Sequence, residues 1–384
     1  MINSFTVEPA GYGIRADQWL IVSVLLLTGL GLVTLLSASY AFAERFFDDG
    51  YYFIRRQCIL GAVGLVLFFI ASFIPLEFIR RWIALPVLGV AVLCVLPFVP
   101  GIGMTINGAS RWILIGGQSF QPSELVKIVL PFYLAHIFEK KRDQINVSSM
   151  GIVPPALVTV LFFFLISAQN NFSTAIFIAA NALILFFLAG VRIRYFITAL
   201  VIMLPLSVLS IFTKEYRVRR LLSYIHPEDD PLGAGYQVRS SILTIGSGGF
   251  WGKGLGQGTR KIASVPEVQS DFIFAAYSEE FGFIGVLLCY VLFIAFAIRG
   301  YRAAMKSGDA FKRLLACGLV TMIISQAMLN IAVVSGFLPA TGIPLPFFSA
   351  GGSSLAITLA AVGLIVNVSR SAAAPRETGV LYVQ

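Results

Sequence analysis

Apolar runs of close to twenty residues recur along the chain, parted by short charged or Gly/Pro-rich segments. An α-helix rises about 1.5 Å per residue, so about 20 apolar residues cross the hydrocarbon core of a bilayer. The pattern predicts helices over 19–41, 53–74, 82–99, 122–138, 151–168, 173–190, 195–212, 271–298, 313–335 and 351–368. The expected fold is all-α: a polytopic integral membrane protein of about ten transmembrane helices. Residues 1–370 read as one transmembrane domain and 371–384 as a short tail.

The loops give the orientation. Arg80-Arg81, Lys140-Lys141-Arg142, Arg192 with Arg194, the cluster from Arg299 to Arg313, and Arg370 all fall on one face. The bias of basic residues toward the cytoplasm makes that face cytoplasmic, together with both termini. The largest loop, 213–270 between spans seven and eight, is then outer. It nevertheless carries Lys214, Arg217, Arg219, Arg220, Arg239, Lys253, Arg260 and Lys261. Two readings stand: a solvated loop that happens to be basic, or a site for an anionic ligand at the outer surface.

Composition narrows the classes. With 58% hydrophobic and 12% charged residues among 384, the chain is not that of a soluble enzyme. Its net charge of +9 does not indicate nucleic-acid binding, because no basic, aromatic-interleaved soluble module holds it. Cys58, Cys94, Cys289 and Cys317 fall inside apolar runs without a CxxC pair and read as small buried hydrophobes. Ala41-Phe-Ala43 resembles a signal-peptidase site, yet the run before it is too long for a signal peptide, so a retained first helix is expected.

Four polar interruptions converge on the outer face: 105–127, 169–174, 217–271 and 339–354. In the first, Glu124 and Lys127 are three apart on a helix, hence on one face, as an internal pair or as cavity-lining groups. The third holds a glycine-rich run, 246–258, whose spacing fits no nucleotide motif. It suits a buried structural turn or a backbone cradle for phosphate. In the last, three prolines and three glycines between Leu338 and Ser354 cannot continue a helix at membrane depth, so the backbone is buried or lines a wet cavity. Gln326 and Asn330, four apart in span nine, put polar groups on one face.

Asp271 stands where the third interruption joins span eight, with Glu279 and Glu280 two helical turns further in. Intramembrane carboxylates face a protein interior or a watery cavity and are functional candidates. Asp271 is also placed to cap a helix N-terminus. A carboxylate at the edge of a low-dielectric interior is a stronger base than one in water, and beside basic residues it could deprotonate a sugar hydroxyl. No DxD pair for a nucleotide-sugar metal is present. His136 and His226 do not support Ser-His-Asp chemistry. His226-Pro-Glu-Asp-Asp230 reads as a solvated turn before a divalent-cation site. No nucleotide cofactor is expected, and a divalent cation stays open.

Asn107-Gly-Ala-Ser-Arg-Trp112, Gln121-Pro-Ser-Glu124 with Lys127, Tyr236-Gln237, Gly246-Ser-Gly-Gly249, Pro266-Glu267 with Asp271-Phe-Ile-Phe-Ala275, Glu279-Glu280 and the 338–354 segment resemble the signatures of the SEDS family, the FtsW/RodA group. The likeness covers nearly all ten expected spans in order. It implies a bacterial inner-membrane peptidoglycan glycosyltransferase that uses lipid II at the outer face, with a class B penicillin-binding protein and other divisome membrane proteins as partners. Asp271 matches the family's essential Asp, expected to activate the acceptor sugar's 4-hydroxyl. Glu124 and Lys127 match family cavity residues. Arg111, Arg217, Arg220 and Lys253 are candidates for diphosphate or acceptor contacts, and Glu280, Asn330 and Ser349 complete the substrate-site set.

The chain departs from the family pattern at Gln169-Asn-Asn-Phe-Ser-Thr174, where Asn171 stands at a usually acidic position, and at Ala350, where Tyr is usual. The first weakens any metal site built on that position. The pattern from Ser37 to Gln57 and the stretch Thr341-Gly-Ile-Pro344 look closer to the division than to the elongation branch. Two other classes remain open: a flippase for the same lipid, which would also use broken helices and intramembrane carboxylates, and a non-catalytic scaffold for division proteins.

Overall fold

The computed structural model describes residues 16–106, 108–115, 118–212, 215–226, 233–258 and 268–372. The helices in chain order are α1 (Gln18–Phe47), α2 (Tyr52–Phe73), α3 (Leu76–Arg81), α4 (Ala84–Val95), α5 (Pro122–Lys140), α6 (Val153–Ala168) and α7 (Phe172–Leu188). They continue with α8 (Ile193–Phe212), α9 (Glu215–Ile225), α10 (Ala234–Ser247), α11 (Ile273–Lys306), α12 (Ala310–Val334) and α13 (Gly352–Ala372). Each of the ten expected spans coincides with one of these helices. Helices α1, α2, α11, α12 and residues 353–370 of α13 are long and apolar enough to cross a membrane, while 84–98, α6 and α7 are shorter apolar helices. The protein is a multi-pass membrane protein.

Local chemistry starts the helices. The Asp17 carboxylate caps α1 by accepting from the Leu20 N–H at 3.1 Å, and Asp309 caps α12 through the Lys312 N–H at 3.0 Å. Prolines open α5 and α6, where their missing N–H leaves no helical bond unmade. Asp17 also pairs with Arg299 near the far end of α11, Nη2 to Oδ2 at 2.6 Å, tying the start of α1 to that helix.

Helices α2 and α13 meet backbone to backbone. A Cβ on Gly64 would lie 2.9 Å from the Ala356 Cα, and one on Gly363 would lie 2.5 Å from the Phe68 carbonyl oxygen. Small residues allow such approaches where lipid supplies no hydrophobic drive between helices. Large apolar side chains of α1, α2, α4 and α6 point outward, whereas Glu124, Lys127, Glu279, Glu280, Gln326 and Asn330 are buried. A protein in hydrocarbon has this inverted arrangement, its polar groups meeting inside.

Two expectations are corrected. Around the first polar interruption, where no regular element is expected, β1 (Gly103–Ile106), β2 (Ala109–Ile115) and β3 (Gln118–Phe120) form a three-stranded antiparallel sheet, so the fold carries a small β element. Gly103 pairs with Ile113, and Ile113 with Phe120. The signal was present: Asn107-Gly108 and Gly116-Gly117 separate β-branched and aromatic runs, as hairpins require. The basic segment 213–270 is likewise not a plain loop, since it holds α9 and α10. Lys214, the Pro227–Asp230 turn, Arg260, Lys261, Pro266, Glu267 and the tail beyond Ala372 lie outside the described residues.

Candidate active site

Helix α11, which coincides with the eighth expected span, is broken. Gly282 inside α11 has φ 63° and ψ −163°, a conformation essentially confined to glycine. The break separates a short half-helix, which follows closely on Asp271, from a long apolar half. Gly-rich residues 248–256 fill it. The N–H groups of Lys253 and Gly254 donate to the freed carbonyls of Glu279 and Glu280 at 3.0 Å each, and the Phe283 N–H donates to the Gly249 carbonyl at 3.0 Å. A Cβ on Gly282 would lie 2.2 Å from the Gly252 nitrogen, and one on Gly252 would lie 2.1 Å from the Glu280 carbonyl oxygen. The glycine-rich run is therefore a structural turn, and these N–H groups are spent on the helix rather than on a phosphate.

Both carboxylates at the break find partners there through Oε1. Glu279 is fully buried and its Oε1 receives the Lys253 ammonium at 2.6 Å and the Ser247 hydroxyl at 3.3 Å. Glu280 Oε1 accepts from the Ser37 hydroxyl of α1 at 2.5 Å and from the Gly256 N–H at 2.9 Å. Lys253 and Glu280, expected at the substrate site, thus stand at the helix break. Packing, not composition, decides this: the buried Glu279 demands a cation, and Lys253 is the one the turn delivers. The Ser349 hydroxyl accepts from the Leu345 N–H at 2.9 Å and its carbonyl from Gln57 at 3.0 Å, while the N–H of its neighbour Ala350 donates to the Gln269 carbonyl at 2.9 Å, two residues before Asp271.

A second polar system reaches Asp271. Lys127 Nζ donates to Glu124 Oε1 at 2.7 Å and to Gln326 Oε1 at 2.9 Å, and the Gln326 amide donates to the Pro344 carbonyl at 2.8 Å. One turn along α12, the Asn330 amide donates to two carbonyls, Asp271 at 2.7 Å and Ile343 at 2.9 Å. Glu124, Lys127 and Asn330 are nearly inaccessible, whereas Asp271 is half-buried. One face of α12 therefore clamps the Asp271 backbone to the 342–344 segment. The carboxylate lies against Gly342, where a Cβ would stand 3.4 Å from Asp271 Oδ2. Sequence reading named Asn330 but missed Gly342, since no spacing relates it to Asp271.

Three of the expected cations meet. Arg111 of β2, Arg217 and Arg220 of α9, Asn171 and Thr341 line a cleft of about 130 Å³. Arg111 donates to the Asn170 carbonyl, the Arg217 guanidinium lies 4.5 Å from the centre of the Phe172 ring, and Arg220 donates to the Ala340 carbonyl at 3.4 Å. The Asn171 Nδ2 is buried without a hydrogen-bond partner among the described residues. Thr341 of this cleft is the chain neighbour of the Gly342 that abuts Asp271. A fixed carboxylate thus adjoins a concentration of positive charge drawn from two distant stretches of sequence, β2 and α9. Among the described residues, no group of three His, Cys, Asp or Glu gathers as metal ligands.

A multi-pass membrane protein with a broken helix, a half-buried carboxylate and an arginine cleft is the class that this geometry defines. The family model FTSW_RODA_SPOVE, "Cell cycle protein", matches residues 17–374. The chain belongs to that family, the SEDS family. It is 39% identical over 353 residues to "Probable peptidoglycan glycosyltransferase FtsW" of Geobacter sp. (strain M18), covering 92% of this chain and 96% of the relative. It is also 39% identical over 354 residues to "Stage V sporulation protein E" of Bacillus subtilis (strain 168), covering 92% and 97%. A chain of the solved structure "Structural coordination of polymerization and crosslinking by a peptidoglycan synthase complex" matches with TM-score 0.78 and 27% identity over 94% of this chain and 99% of that one. The Thermus thermophilus rod shape determining protein RodA matches with TM-score 0.67 and 28% identity, over 93% and 97%.

Proposed function

We propose that the protein is a peptidoglycan glycosyltransferase of the division branch, polymerising lipid II at the outer face of the bacterial cytoplasmic membrane. The observation that carries this reading is the Asp271 carboxylate, clamped through its backbone by Asn330 and adjoining the cleft of Arg111, Arg217 and Arg220. Relatives that bear the FtsW name support the activity and the branch.

In this mechanism Asp271 takes the proton of the acceptor sugar's 4-hydroxyl. The freed oxygen attacks C1 of the α-linked donor sugar and the C1–O bond to the diphosphate breaks, giving a β-1,4 link by one inverting displacement. The proton stays on Asp271, and the diphosphate leaves with the bond's electron pair. Its charge is met by the arginines, in a setting drier than bulk water and so electrostatically stronger. A lipid-bound donor needs no nucleotide fold.

The topology that goes with it has ten spans in one domain over 1–370, both termini cytoplasmic, and the β-sheet, α9 and α10 outside. The similar chain of a peptidoglycan synthase complex supports a penicillin-binding transpeptidase as partner, with other divisome membrane proteins around it. Lipid II polymerisation by the purified protein with that partner, wild type against Asp271→Asn, tests the reading. Polymer from the wild type alone is expected. A well-folded Asp271→Asn that still polymerises removes the base assignment. No polymer from either, with lipid II crossing vesicle bilayers, makes the protein a transporter.

A further inference from the structure

A second cleft, of about 240 Å³, shares Arg220 and Ala340 with the arginine cleft. Its remaining walls differ in character. Val238, Ile242 and Leu243 of α10 make one side, and Gly336, just past α12, makes another. Arg239 joins Arg220 as a second cation. The frame is fastened to the transmembrane body. The Ser241 hydroxyl donates to the Val334 carbonyl at 2.7 Å, and the Tyr224 hydroxyl donates to the Phe337 carbonyl at 2.9 Å. Gly336 has φ 78°, and a Cβ there would reach 2.7 Å from the Ile242 Cδ1, so a larger residue would fill the space beside it.

An apolar cleft with two guanidinium groups and, among the described residues, no carboxylate in its lining suits an amphiphilic anion, a phosphate carried on a hydrocarbon chain. Ile242 and Leu243 are 46% and 50% exposed, apolar surface that such a chain would cover. Arg220 belongs to both clefts, so one diphosphate held there can face Asp271 on one side and send its chain along α10 on the other. We propose that this second cleft holds the first isoprene units of a polyprenyl diphosphate, a chain seat that fixes which way the donor's sugar points. It rests on the polymerase reading above in supplying the diphosphate, but it concerns how the lipid stem is held. A single chain matches a cleft of this size better than the two acyl chains of a phospholipid.

The test is binding of undecaprenyl diphosphate to the full-length protein in detergent, with inorganic pyrophosphate as the chain-free probe. Leu243→Trp fills the apolar side and Arg239→Ala removes a cation, both at partly exposed positions. Leu243→Trp should weaken undecaprenyl diphosphate by about tenfold or more, the scale on which apolar pockets discriminate, and leave pyrophosphate unchanged. Arg239→Ala should weaken both probes. Undecaprenyl diphosphate binding as in wild type by a folded Leu243→Trp, with Arg239→Ala also unaffected, overturns the proposal. So does displacement by phosphatidylglycerol at equal concentration. A wild type that makes no polymer but loses the lipid probe on Leu243→Trp keeps the chain seat and fails only the polymerase.

Discussion

The ion pair at the helix break makes an asymmetric prediction. Glu279 is fully buried, while the Lys253 side chain keeps 30% exposure, and the two meet at 2.6 Å. Lys253→Met removes the cation that meets this interior carboxylate. Breaking a buried pair costs about 3–5 kcal/mol. Because the lysine end is near water, screening cuts this to about 2–3 kcal/mol. Glu279→Gln is milder. The amide can still accept from Ser247, and the freed ammonium hydrates at the surface, so about 1 kcal/mol is lost. The double variant removes both charges and should resemble Glu279→Gln, recovering about 1–2 kcal/mol relative to Lys253→Met, a coupling of the size that contacting residues show. Thermal unfolding in detergent, followed by intrinsic fluorescence, should rank the midpoints as wild type, then Glu279→Gln and the double variant together, then Lys253→Met. The half-helix past Asp271 is seated by this turn, so glycan synthesis should fall in the same order. A Lys253→Met protein as stable as Glu279→Gln would refute the claim that the pair holds the break.

Other substitutions probe the remaining parts. Gly282→Ala forces a side chain into a glycine-only conformation and against the Gly252 backbone, and should cost about 3 kcal/mol or more. Little folded protein should be recovered by size-exclusion chromatography, while Gly89→Ala, which meets nothing within 4 Å, behaves as wild type. Asn330→Asp keeps the shape but replaces the donor facing the Asp271 and Ile343 carbonyls with an acceptor. Turnover should drop strongly with a smaller change in KM, and equal losses in both would point to a structural role alone. Arg217→Ala and Arg220→Ala should each lower kcat/KM by about 10–100-fold, the worth of a hydrogen bond to a charged group, with the fold intact by circular dichroism. An unchanged rate in both would exclude the cleft as the leaving-group site.

Much of the architecture was legible because the bilayer is a demanding solvent. It sets the length of each apolar run and forces every polar group inward, so the spans and buried candidates such as Glu124, Lys127, Glu279 and Asn330 stand out from the sequence. The sheet over 103–120 escaped a reading tuned to helices, although Asn107-Gly108 marked its first turn. The break at Gly282 left no such mark. Glycine in an apolar run is tolerated in membrane helices, and the positive φ of Gly282 follows from the turn packed against it.

The sequence by itself determined which stretches form long apolar helices, which side groups could not face lipid, and that Asp271 stands just before one of those helices. Tertiary structure alone decided which cation does what. Lys253 and Arg220 lie in the same basic stretch and look equivalent in the sequence. The fold gives Lys253 to Glu279 and sets Arg220 beside Arg111 and Arg217, which lie 106 residues apart in the chain (217 minus 111). Charge acts over a few ångströms, so a residue's role depends on neighbours that long-range packing delivers.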